Sequence, residues 1–232
     1  MHGNDVGNLS GREDQGLKNW LDRTARRIYE RAFGNEFGAR GGTSSGQRRV
    51  GLEPLEPRVL LDAFVVGTNS DEAFGGGNLA AETGDGNGLS LREAIGLANN
   101  NGVGDTIDFN IGADDAGTGQ DTIQLTMGEL GVTENQDLQI DGQNAATTND
   151  VTIDANNASR IFNVSSTATT TLQNGLTMIN GSVGGDGGAI HQSGGTLNVT
   201  GSTVSTSSAG GAGGGIYVDS GTLVVNATSV TG

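Results

Sequence analysis

Residues 184–206, GGDGGAIHQSGGTLNVTGSTVST, align with residues 210–232, GGAGGGIYVDSGTLVVNATSVTG, at an offset of 26 without a gap, and ten of the twenty-three positions are identical. Ile190 falls on Ile216, Leu197 on Leu223, Val199 on Val225 and Val204 on Val230. Apolar residues alternate with polar ones in both copies, which is strand periodicity. Three short strands in 26 residues predict one coil of a three-sided solenoid, with coils stacked about 4.8 Å apart by ordinary strand pairing. Equivalent residues then stand on one another in the interior, where each buried Val, Leu or Ile contributes on the order of 1.5–3 kcal/mol. One coil cannot cover its own faces, so roughly three or more are required. Looser copies precede the pair: Ile161–Val164, Thr171-Leu172 and Leu176–Ile179, and before them Leu138–Ile140 and Val151–Ile153. The glycine pairs ahead of Ile190 and Ile216 predict corners that need positive φ. The predicted fold class is all-β, a right-handed parallel β-helix with a coil period of about 26.

Composition agrees. The chain has 232 residues with 42 glycines, 4% aromatics and no cysteine, too few large side chains for a round core. Without cysteine there are no disulfides, thiolate metal sites or cysteine nucleophiles. Residues 1–62 carry ten Lys/Arg and nine Asp/Glu, whereas residues 63–232 hold only Arg92 and Arg160 against eighteen carboxylates. Such a surface repels nucleic acid and anionic membranes. No run reaches the roughly 18 apolar residues of a membrane helix, and no ordinary signal peptide is visible.

Three segments follow from the pattern: 1–62, a sorting and linker region; 63–136, the entry and capping segment; and 137–232, the coils. In the first, Leu17, Trp20, Leu21, Ala25, Ile28 and Ala32 recur at helical spacing among Arg23, Arg26, Arg27 and Arg31, predicting a basic amphipathic helix beside a partly disordered tail. Gly38–Gly46 reads as a flexible linker. In the second, Ser90 and Glu93 make a capping box, and Leu91, Ala94, Ile95 and Ala98 line one face of the helix it starts. Thr106–Ile111 and Asp121–Leu125 alternate as strands. An open stack exposes apolar rungs and unpaired backbone, so a helix bearing Ser90, Leu91, Glu93 and Ile95 is expected to plug it.

Leu55-Glu56-Pro57-Arg58-Val59-Leu60-Leu61 resembles, residue for residue, the LEPR-XLL motif found near the amino terminus of large exported bacterial surface proteins. That motif usually follows a basic cluster, and Arg48-Arg49 fits. A twin-arginine signal is a weaker reading, because Glu53 and Glu56 interrupt the apolar segment that should follow. Ser90–Ile95 resembles the CSLREAI entry region of bacterial β-helix proteins with a pectin-lyase-like fold, except that Leu89 stands in place of cysteine. Gly187–Ile190 and Gly213–Ile216 resemble the GGAI tetrapeptides of polymorphic outer-membrane proteins. The companion Phe-x-x-Asn tetrapeptide is missing, so the likeness is to the architecture. Together these resemblances imply an exported protein at the cell surface or outside it.

Candidate chemistry is sparse. A lyase of this architecture needs a basic side chain beside acidic ligands, and beyond Glu93 only Arg160 is basic. A glycosidase needs two facing carboxylates; Asp141, Asp150 and Asp154 are the densest, at positions where turn-forming Asp is common. His191 falls on Tyr217 one period later, which favours a surface or packing role over a catalytic base. No catalytic residue and no cofactor is assigned. Asp85, Asn87, Asp105 and Asp108 are candidates for calcium, without the ordered spacing of a known loop. Two functions are expected. One is a structural or adhesive surface module presenting Thr/Ser/Asn-rich faces to glycans or partner proteins. The alternative is the N-terminal part of a carbohydrate-active β-helix enzyme whose catalytic coils lie elsewhere. The pattern stops at Thr231-Gly232 without a capping segment, so a longer protein is expected, and an open last coil free to self-associate.

Overall fold

The computed structural model describes residues 62–112, 121–147 and 149–231. The segment expected to form a basic helix, the expected linker and Leu55–Leu61 lie outside them. In chain order the elements are β1 (Asp62–Val66), α1 (Leu79–Gly84), α2 (Leu91–Asn101), β2 (Asp105–Phe109), β3 (Asp121–Gln124), β4 (Leu130–Val132), β5 (Leu138–Asn144), β6 (Val151–Asp154), β7 (Phe162–Val164) and β8 (Thr169–Gln173). They continue as β9 (Thr177–Ile179), β10 (Ser182–Val183), β11 (Ile190–Thr200), β12 (Thr203–Ser205), β13 (Ser208–Ala209), β14 (Ile216–Asn226) and β15 (Ser229–Val230).

The fold is an all-β solenoid with few helices, and every pairing between these strands is parallel. The first ladder runs β1-β2-β5-β8 and then the second halves of β11 and β14. The second runs β3-β6-β9-β12-β15, and the third β4-β7 followed by the first halves of β11 and β14. The short β10 and β13 pair separately. Both β11 and β14 serve two ladders because each bends at a glycine of positive φ, Gly195 (+51°) and Gly221 (+99°).

The sequence period of 26 holds where it was read. Ile190 pairs with Ile216, Leu197 with Leu223 and Val204 with Val230. Earlier coils are longer. Along the first ladder Asp62 pairs with Asp105, Asp105 with Leu138, Leu138 with Thr170, Thr170 with Leu197 and Leu197 with Leu223, so coil lengths fall through 43, 33, 32 and 27 to 26. Most of the extra residues sit between strands, but β5 also takes two extra residues opposite β2, shifting the register between Ile107–Ile140 and Phe109–Asn144.

Side chains stack along each ladder. Phe64, Ile107, Ile140, Leu172 and Val199 make one buried column, and Ile123, Ile153, Met178 and Val204 a second. Leu130, Phe162 and Ile190 make a third. Parallel strands buried on one side need such continuity, because slipping by one residue would turn each column out into water.

Helix α2 packs against β1, β2 and β4, burying Leu91, Ala94, Ile95, Leu97 and Ala98. Its capping box is formed: the Ser90 hydroxyl accepts from Glu93 N–H and Glu93 Oε2 accepts from Ser90 N–H at 2.8 Å. Gly102, with φ of +72°, ends it, as left-handed glycine commonly does. Arg92 fixes the helix sideways, donating from Nε to Asp71 at 2.7 Å and from its two Nη groups to the carbonyls of Glu129 and Gly128. Burial works to raise the Asp71 pKa, but Arg92 and the Thr126 and Met127 N–H groups outweigh it and hold it low. Helix α1 is short, with Asn78 as N-cap and buried Glu82 accepting from Gly75 and Gly77 N–H.

Candidate functional site

The outward side of the third ladder carries an amide, an imidazole and a phenol in register. In a strand, neighbours alternate between faces, so Ile190 and Gln192 are buried while His191 is half-exposed. Pairing sets Asn163, His191 and Tyr217 in one column. The imidazole and the phenol stack with centroids 5.6 Å apart and planes 17° from parallel. His191 Nδ1 lies 3.4 Å from Asn163 Oδ1, and Asn163 Nδ2 donates to Glu129 Oε1 at 2.9 Å. The other Glu129 oxygen takes the Arg160 guanidinium at 2.5 Å. A planar aromatic surface is thus bordered by amide, carboxylate and guanidinium groups.

Arg160 is fully engaged there. Besides Glu129 it donates from Nε to Gly187 O and from Nη2 to Asp186 O, closing the turn before β11 rather than standing free as a base. Two of the other sequence candidates for catalysis hold turns too. Asp141 accepts from Gln143 N–H and from the amides of Gln173 and Asn174. Asp154 Oδ1 accepts from Asn156 N–H and Asn180 Nδ2. Asp150 bridges to Gln143 through the backbone. Asp141 and Asp154 fit the turn-forming role that such Asp residues favour.

The outward side of the first ladder is polar and shallowly grooved. One groove of about 410 Å³ is lined by Asp108, Asn110, Asp141 and Gln143, and one of about 240 Å³ by Thr106, Gln139, Thr169 and Thr171. Burial and the Asp141 charge raise the Asp108 pKa.

The four calcium candidates do not meet. Asp105 lies in the interior, 1% exposed, where burial, with Glu134 and Asp62 nearby, pushes its pKa up to about 6. Asp108 faces Asp141. Asp85 instead joins two residues that the spacing did not single out for metal, Glu72 and Glu93: one carboxylate oxygen from each lies within 4.8 Å of the others. Asn87 N–H reaches Glu72 Oε1 at 3.4 Å, and the Glu72 carboxylate lies against Gly86, where a Cβ would have to push it aside.

Compared with protein-family models, with curated proteins and with solved structures, the chain shows no match. Its own geometry therefore carries the functional reading.

Proposed function

We propose that this chain is an adhesive or structural module of an exported bacterial surface protein, built as a three-sided, right-handed parallel β-helix that displays its outer ladders to glycans. Helix α2 covers the first coil in this reading, with Leu91 and Ile95 on the apolar rungs and the Ser90–Glu93 box holding the helix start. Leu55, Glu56, Pro57, Arg58, Leu60 and Leu61 act as the sorting motif.

The observation that carries the binding role is the Asn163–His191–Tyr217 column with Glu129 and Arg160 beside it. Aromatic faces offer large apolar area at low entropic cost, and polar groups around them fix orientation. Sugars present this mixture of apolar C–H faces and hydroxyls. Nucleic acid is disfavoured by the acidic balance, and no helix among the described residues is long and apolar enough to cross a membrane.

The test is a glycan array probed with the whole chain and with Tyr217→Ala. Binding that falls at least tenfold in the variant, with an unchanged melting curve, supports the reading. Absence of any bound glycan, or equal binding by the variant, rejects this face as the glycan site.

A further inference from the structure

We propose that Glu72, Asp85 and Glu93 form a calcium site that ties the segment after β1 and the Gly84–Gly88 loop to the start of α2.

Three carboxylates sharing one small volume repel one another unless a cation joins them. The described residues supply none. Residues 63–232 contain only two basic side chains, Arg92 and Arg160, and these pair with Asp71 and Glu129. Crowded acids alone would be weak grounds, but Glu93 adds an independent observation. It is 1% exposed. Its Oε2 is held by Ser90 N–H, while Oε1 is buried with no hydrogen-bond partner among the described residues. A buried carboxylate oxygen left unpaired is costly, and this one belongs to the carboxylate that faces Glu72 and Asp85.

The donor set selects the ion. All three donors are carboxylate oxygens, which suit hard cations and not thiophilic or imidazole-seeking metals. Calcium takes oxygens at about 2.3–2.6 Å, so two oxygens on one ion can stand nearly as far apart as the 4.8 Å limit within which these lie. Its tolerance of irregular geometry with 6–8 ligands leaves room for water beside the exposed Asp85. Magnesium requires a near-octahedral shell at about 2.0–2.1 Å, a poorer match to three side chains from separate segments.

The experiment uses the full chain, freed of metal with a chelator and then titrated with CaCl2 or MgCl2, reading calorimetric stoichiometry and Tm. The comparison is Glu72→Gln with Asp85→Asn, both outside the capping box; Glu93→Gln, which keeps the box, is the second variant. One calcium per chain and a Tm rise of roughly 5–10 °C at a hundredfold excess over Kd are expected, with the rise lost in both variants. Without metal the order reverses, and the variants melt above the parent because repulsion is relieved. No response to CaCl2, or a rise of the same size in the variants, overturns the site. An equal response to MgCl2 overturns the assignment to a calcium-sized ion.

Discussion

Thr206 follows Asn180 by one coil at a corner where both backbones are left-handed, with φ of 49° and 57°, and its hydroxyl donates to Asn180 Oδ1 at 3.0 Å. Asn180 in turn donates to Asp154 Oδ1, so the corner carries a short polar ladder. Asn visits this conformation readily, whereas a β-branched residue there is strained by roughly 1–2 kcal/mol. Thr206→Asn should therefore stabilise the chain by about 0.5–1 kcal/mol and lift Tm by a few degrees, as the new amide extends the Asp154–Asn180 ladder. A lower Tm would show that the Thr206 hydroxyl matters more than the backbone.

The interior register makes a sharper prediction. Leu197 is fully buried and pairs with Leu223, while its neighbour Asn198 is half-exposed and pairs with Val224. Leu197→Asp should cost on the order of 3–5 kcal/mol by burying an unpaired charge, and Asn198→Asp less than about 0.5 kcal/mol. Chemical denaturation of the two variants decides it; equal midpoints would reject the register.

Asp105 sets a pH dependence. Its folded pKa of about 6 stands above the unfolded value of about 3.9. Between the two the folded state binds more protons, so stability falls as pH rises; the penalty is complete above about pH 6 and gone below about pH 4. Glu134, also raised by burial, acts in the same direction. Asp105→Asn keeps an acceptor for Asn101 Nδ2 and should add on the order of 2 kcal/mol at pH 8 while flattening the profile from pH 4 to 7. Melting at pH 4 and pH 8 checks both parts.

The sorting reading separates export from folding. Replacing Leu55–Leu61 with a Gly/Ser stretch of equal length should abolish appearance at the cell surface and leave the Tm of the purified chain unchanged. A marked fall in Tm would assign the segment to the fold instead.

The isolated chain should also self-associate. Val224, Val225 and Val230 are each 45% exposed on the β14–β15 coil, and among the described residues no strand pairs with its outer edge, a configuration open to strand addition. Lys substitution of Val224 and Val230 should shift the sedimentation coefficient to that of a monomer. A parent chain that is already monomeric contradicts the expectation.

Legibility of the fold followed repeat fidelity. The last two coils align without a gap because Ile190, Leu197, Val199 and Val204 recur unchanged. Before Thr169 β2, β3, β5, β6 and β7 were readable as short apolar or alternating segments and β1 and β4 were not, and the partners were hidden throughout, since coils of 43, 33 and 32 residues share no fixed period. Helix α2 announced itself through Ser90 and Glu93, while α1, six residues long, lacked the periodic span that a helix assignment needs. The Asn163–His191–Tyr217 column was half visible, as His191 over Tyr217. Glu72 was hidden: it reaches Glu93 across twenty-one positions through a loop fold that periodicity does not describe, and Glu93 already had a capping role to explain it.

The falling coil length has a mechanical side. A coil of 26 residues lengthens the stack by about 4.8 Å but contains roughly 90 Å of extendable chain. Tension applied at the last coil would strip one rung of parallel hydrogen bonds at a time and release nearly twentyfold more length than the rung occupied. A module at a cell surface would then yield to a pull by paying out tether coil by coil, and the long early coils, clamped through Asp71 and Arg92, would be the last to let go.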